Sequence, residues 1–235
     1  MSTVENAAPQ ATWRKNPGSS VSLPPGAKLG WILGLWGACL AYAIVRYHVF
    51  RGVEWAHFPL YVMNKSFSLA GLAYLAASYM TGKWIPGGGP ERTRAQAKFL
   101  GLTGFYFLGV HVFASLAMLS PAYYAKFFGE DGKMNATGEL SILFGALGLG
   151  FLMFPAVTTL PTMFEALGPE RWKRAQRMGY WAIGMGCAHT FAMGYAGWLD
   201  VPSWPGGLPP ITLWGFLAGA SALAAKAWDS RRARG

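Results

Sequence analysis

The sequence predicts an all-α, polytopic membrane protein: a six-transmembrane-helix bundle with both termini cytoplasmic. Three observations carry that prediction. The first is composition: 53% of the 235 residues are hydrophobic, only 13% are charged, and there are 31 glycines and 11 tryptophans, proportions unusual for a soluble domain. The second is the recurrence of apolar stretches of roughly 20 residues, the length a helix needs to cross a bilayer core. The third is the placement of lysine and arginine between those stretches.

Spans are predicted at 29–47, 63–80, 99–119, 140–160, 179–198 and 211–228. Residues 1–27 carry Pro, Ser, Gly and Arg without an apolar run, and read as a disordered cytoplasmic arm instead of a cleavable signal peptide. The helical domain covers 28–229, and 230–235 is a basic cytoplasmic tail. With the N-terminus inside, the inner segments hold Arg14, Lys15, Lys28, Lys83, Arg92, Arg94, Lys98, Arg171, Lys173, Arg174, Arg177, Lys226, Arg231, Arg232 and Arg234. The outer segments hold only Arg46, Arg51, Lys65, Lys126 and Lys133. Such asymmetry is the positive-inside pattern, and a bacterial inner membrane suits it. The net charge of +10 follows from topology and from anionic headgroups of the lipid bilayer, so no nucleic acid partner is expected.

Taken in order, span one runs into the outer segment RYHVFRGVEWAHFPLY, which contains His48 and His57. These histidines suit a metal, a second haem or a quinone headgroup; equally, beside Tyr47, Trp55 and Tyr61, they suit an aromatic belt at the interface. Cys39 in span one and Cys187 in span five have no CxxC or CxxCH spacing and read as two small buried thiols. Between spans three and four, PAYYAKFFGEDGKMNATGEL offers Tyr123, Tyr124, Phe127 and Phe128 to the membrane interface or to a partner. Thr137 is expected to help cap span four, with Glu139 near its positive end, and Pro155 to kink it.

Spans three and five each place one histidine at depth. His111 lies 13 residues after Lys98 and His189 lies 12 after Arg177, so at 1.5 Å of rise per residue both imidazoles sit roughly 18 to 20 Å beyond the inner charges. Polar side chains at such depth are costly and mark function by default. Two histidines at one level on parallel helices can supply both axial ligands of one haem iron; each alone can also simply hydrogen-bond to a neighbouring helix. Gly101, Gly104 and Gly109 before His111, and Gly184, Gly186 and Gly194 around His189, would leave room for a flat cofactor or for close helix packing.

The turn GPERWKRAQRMGYW, followed by the histidine of GYWAIGMGCAHTF and preceded by ELSILFGALGLGFLMFPAVTTLPTMFEALG, resembles the ferric reductase-like transmembrane family of six-helix b-haem proteins. The likeness is greatest to small bacterial members without an attached flavin domain, similar to the membrane partner of the periplasmic methionine sulfoxide reductase. It covers spans three to six, and spans one and two by hydropathy alone. The resemblance implies that the outer haem pair falls on His111 and His189. It also implies an inner pair 14 residues before His111 and 13 before His189, where this chain has Ala97 and Gln176. One haem b near the outer face is therefore expected, with Arg46, Arg51 and Lys65 as candidate contacts to its propionates or to headgroups.

Two functions remain open on the sequence. One is a membrane electron-transfer subunit passing electrons between quinol or a separate redox partner protein and an acceptor at the outer face. The other is a structural or assembly subunit that keeps the fold without redox turnover. The sequence shows neither a Ser-His-Asp set nor paired carboxylates, and no GxGxxG after a strand, so a reductant from outside the chain is expected.

Overall fold

The computed structural model describes residues 22–86 and 88–232, and the described residues are helical, with no strand beyond two isolated bridges. The helices in chain order are α1 (Pro25–Phe50), α2 (Met63–Met80), α3 (Pro90–Ala117), the short α4 (Pro121–Tyr124), α5 (Ala136–Val157), α6 (Pro161–Leu199) and α7 (Ile211–Arg232). Proline opens four of them, at Pro25, Pro90, Pro121 and Pro161. Its fixed φ suits the first helical position, where a missing N–H costs nothing. A helix thus stands at each of the six expected places.

Four of these segments are long and apolar enough to cross a membrane: Pro25–Phe50, α3, α5 and Pro205–Arg232, which contains α7. That marks the chain as a membrane protein. The other two are diluted by polar and small residues. α2 carries Asn64, Lys65, Ser66, Ser68 and Ser78, and α6 carries His189, Thr190 and several glycines. Of these, α2 is an inner helix packed against α1, α3 and α7, whereas α6 packs between α5 and α7 along one side and leaves Trp181, Phe191 and Tyr195 exposed. Neighbours shield the packed faces from lipid, so these helices need not be apolar all round. By contrast α3 turns Phe113 outward at 78% exposure, as a lipid-facing surface requires.

Small residues set the closest contact. On α3, a Cβ at Gly104 would stand 2.9 Å from the main-chain oxygen of Gly71 on α2 and 3.0 Å from Leu75 Cγ. Only glycine lets these backbones meet. In α1, π-helical turns cover Ile32–Trp36 and Val45–Phe50; the second widens the helix so that the consecutive Arg46, Tyr47 and His48 are all buried.

Several boundaries differ from expectation. Helix α1 begins inside the last residues of the expected arm, whose residues 1–21 lie outside the described ones, as do 233–235 of the tail. Helix α5 ends at Val157, so Pro155 occupies its last turn instead of kinking a longer span. Its cap is Asn135, whose side chain accepts from the Gly138 N–H at 3.1 Å; Thr137 already lies inside the first turn and cannot take that role. The chain bends at Gly168 (φ 70°), just before Pro169, and runs on helically through the basic turn into the second half of α6. Both cysteines are buried and free.

Candidate functional site

His111 on α3 and His189 on α6 face one another, with ring centres 6.3 Å apart and planes at 73°. Each ring is held through one nitrogen. Nδ1 of His189 lies 2.7 Å from the main-chain oxygen of Ser141 on α5. A carbonyl only accepts, so Nδ1 carries the proton and Nε2 keeps its lone pair. Nδ1 of His111 lies 2.7 Å from Oδ1 of Asn64 on α2, while Nδ2 of the same amide donates to Ser115 Oγ at 2.9 Å. The same tautomer follows for His111. Both rings line one cavity, and neither Nε2 is among the buried polar atoms without a partner, so each opens into that space.

This spacing suits a single metal centre: a metal–nitrogen bond of about 2 Å on each side, with about 1 Å from each nitrogen to its ring centre, spans about 6 Å. Among the described residues no three His, Cys, Asp or Glu side chains gather to hold a bare ion. A histidine pair instead matches a metal that brings its other donors with it, as haem iron does. Gly145 on α5 makes the seat possible, because a Cβ there would come within 3.2 Å of His189 Nδ1.

The cavity measures about 1150 Å³, above the roughly 300–1,000 Å³ of ordinary ligand clefts. The end of α1, helices α2, α3, α5 and α6 and the start of α7 wall it, and the segment after α3 roofs it. Tyr124 and Phe127, expected at the interface, are instead buried in that roof and stacked on each other at 5.4 Å. The roof is pinned where Lys126 Nζ donates to the Met193 carbonyl of α6. Of the expected glycines, Gly186 and Gly194 line the cavity, whereas Gly109 and Gly184 have nothing within 4 Å of a notional Cβ and so leave no special room beside the rings.

Arg46, Arg51, Lys65 and Lys126 all line the cavity, and no Asp or Glu lines it. Among the described residues the salt bridges involve none of these four cations. Arg46 donates through Nη1 to the Leu208 carbonyl, while its Nε is buried without a partner. Lys65 Nζ rests 5.0 Å from the Tyr61 ring centre and 5.2 Å from that of Tyr124. Lys126 is an exposed residue whose ammonium turns inward; desolvation there and, second, the Arg51 guanidinium lower its pKa. Cations without counter-charges in a partly dry cavity favour an anionic ligand.

At the opposite end of the bundle a second cavity of about 250 Å³ is lined by Ala97 and Gln176. It is smaller than ordinary ligand clefts, and the Gln176 amide is tied to Thr158 Oγ1 at 2.8 Å and to the Pro155 carbonyl at 3.3 Å. Leu75 and Leu152 line both cavities.

His48 and His57 are not brought into the pair's site in the same way. His48 is buried, its Nδ1 2.7 Å from the Val53 carbonyl and its ring stacked 4.0 Å from Trp55, with Nε2 enclosed and unpartnered. His57 lines the cavity near its mouth, edge-on to Tyr123 at 6.0 Å. Sequence reasoning missed Asn64, Ser141 and Lys126. Asn64 was legible as a polar residue inside a predicted span, but the shorter contact of Ser141 is through its backbone, which no side-chain pattern reveals, with its Oγ a second contact 3.3 Å from His189 Nδ1. Compared with family models and with curated proteins, the chain matches none.

Proposed function

We propose that this chain is a membrane electron-transfer subunit that holds one haem b between His111 and His189. The observation that carries the reading is the 6.3 Å spacing of two rings whose Nδ1 atoms are both engaged and whose Nε2 atoms both open into a large cavity. Haem, when bound, supplies a one-electron carrier. The chain's own residues do the rest. Ser141 and Asn64 fix the tautomer that presents Nε2 to a metal. Arg46, Arg51, Lys65 and Lys126 supply positive charge for the two propionates, and Tyr124 and Phe127 cover part of the cavity on its outer side.

The finer topology belongs to the same proposal: six spans, both termini cytoplasmic, in a bacterial inner membrane. The distribution of lysine and arginine supports it. The resemblance read in the sequence of spans three to six to the ferric reductase-like transmembrane family supports a single haem at the outer level, because Ala97 and Gln176 stand where that family's inner ligands would be. Electrons then come from quinol or a separate redox partner and leave toward an acceptor at the outer face.

A reduced-minus-oxidised absorption spectrum of the purified chain, with haem quantified per chain, tests the reading. The expected result is b-type bands and one haem per chain. A chain without those bands after supply of haem is a structural or assembly subunit instead, and two haems per chain would return Gln176, His48 and His57 to consideration as ligands.

A further inference from the structure

The two histidines are supported unequally. His189 leans on a backbone carbonyl, fixed by α5 itself. His111 leans on a side chain, the Asn64 amide, which is 1% exposed and has no other route to hydrogen-bond satisfaction than the groups around it. Its Nδ2 donates to Ser115 Oγ at 2.9 Å and to Tyr124 Oη at 3.4 Å. Ser115 lies one turn beyond His111 on α3, and its hydroxyl is itself 3.3 Å from His111 Nδ1. Tyr124 belongs to the roof and stacks on Phe127. A continuous hydrogen-bonded chain therefore runs from the outer loop, through Tyr124 and Asn64, to the back of the His111 ring.

We infer that Asn64 is the positioning residue for His111, and that Tyr124 couples the outer loop to the electronic state of a metal bound there. The inference rests on the proposed haem site and concerns its regulation. An acceptor on Nδ1–H makes the imidazole more basic and a stronger donor through Nε2, which favours the oxidised, more positive metal. Weakening that acceptor favours the reduced state. Tyr124 acts one bond further away, because its hydroxyl orients the Asn64 amide so that Oδ1, not Nδ2, faces the ring. A partner that moves the roof would thereby change how readily the site accepts an electron, without touching either ligand.

The test is a redox titration of the full-length, haem-loaded protein, followed by absorption, on the parent and on Asn64→Leu, Asn64→Asp and Tyr124→Phe. Asn64→Leu removes the acceptor and is expected to raise the reduced-to-oxidised ratio at a fixed potential about tenfold, which for one electron is about 59 mV. Asn64→Asp keeps an oxygen at Oδ1 and is expected to stay at or below the parent potential. Tyr124→Phe keeps the ring stack and is expected to shift in the same direction as Asn64→Leu by a smaller factor. Loss of bands in Asn64→Leu with retention in Asn64→Asp also supports the assignment. If both Asn64 variants lose haem, Tyr124→Phe decides: a shifted potential supports the coupling and an unshifted one overturns it. Bands of parental intensity with equal potentials in all variants overturn the inference alone, whereas a parent chain without b-type bands overturns the proposed function on which it rests.

Discussion

Replacing His189 by alanine removes one of the two ring nitrogens that open into the large cavity and leaves the other, on His111, in place. Two separable effects follow. The Ser141 carbonyl loses the Nδ1–H donor it holds at 2.7 Å but keeps the amide donor of its own helix, so this loss costs only about 0.5–1.5 kcal/mol. Haem affinity falls much further. Removing a group that merely supports a metal ligand typically costs 10–100-fold, so losing the ligand itself sets a floor of roughly 100-fold. The iron would retain one protein nitrogen, and the low-spin spectrum of a bis-histidine site would give way to a high-spin one. Titration of the purified variant with haem reads the affinity, and the absorption spectrum reads the ligation. Because the vacated space opens onto the cavity, added imidazole is expected to restore the low-spin spectrum in His189→Ala, and in His111→Ala by the same argument. Parental affinity and an unchanged spectrum in both variants would refute the reasoning, since no ring with a free Nε2 would then be needed.

Lys126 gives a pH dependence. Its ammonium is disfavoured by desolvation and by Arg51, so its charge is lost at a lower pH than for an ordinary lysine. Affinity for haem, read by titration, is therefore expected to fall as pH rises toward that point, and Lys126→Met is expected to be weaker throughout but to lack that step. Helix packing gives a contrast between two glycines on one helix. Gly104→Ala drives a Cβ to 2.9 Å from the Gly71 carbonyl and is expected to cost about 1–3 kcal/mol in thermal unfolding in detergent. Gly109→Ala meets nothing within 4 Å and is expected to be neutral or stabilising by up to about 1 kcal/mol.

Depth along each helix was legible in the sequence, and rotation about each helix was not. Counting residues from Lys98 and Arg177 put His111 and His189 at one level, and the structure brings their rings within 6.3 Å. Which residue backs each ring depends on how the helices are turned, and that is set by contacts such as Gly71 with Gly104, invisible to one-dimensional periodicity. Asn64 therefore read only as a polar residue near the start of a span, with no indication that it meets α3. The outer loop was misread for a related reason. Tyr124 and Phe127 have the composition of an interfacial segment, but the cavity beneath them offers apolar walls and an amide to meet the tyrosine hydroxyl. The cap at Asn135 was missed by two residues because both Asn135 and Thr137 can cap, and only the helix start distinguishes them.

The two cavities enter the bundle from opposite ends and meet at Leu75 and Leu152. In a protein seated across an energised membrane, those two aliphatic side chains would form part of the insulator between the recesses. Were water to fill the two recesses, the voltage would fall mainly across that thin partition instead of across the full hydrocarbon thickness. A unit charge is worth about 2.3 kcal/mol per 100 mV of potential it crosses, and an electron stepping through this partition would feel most of that drop in a single short move. The pair of leucines also stands between the two recesses, and a smaller side chain at either position would widen the connection between them.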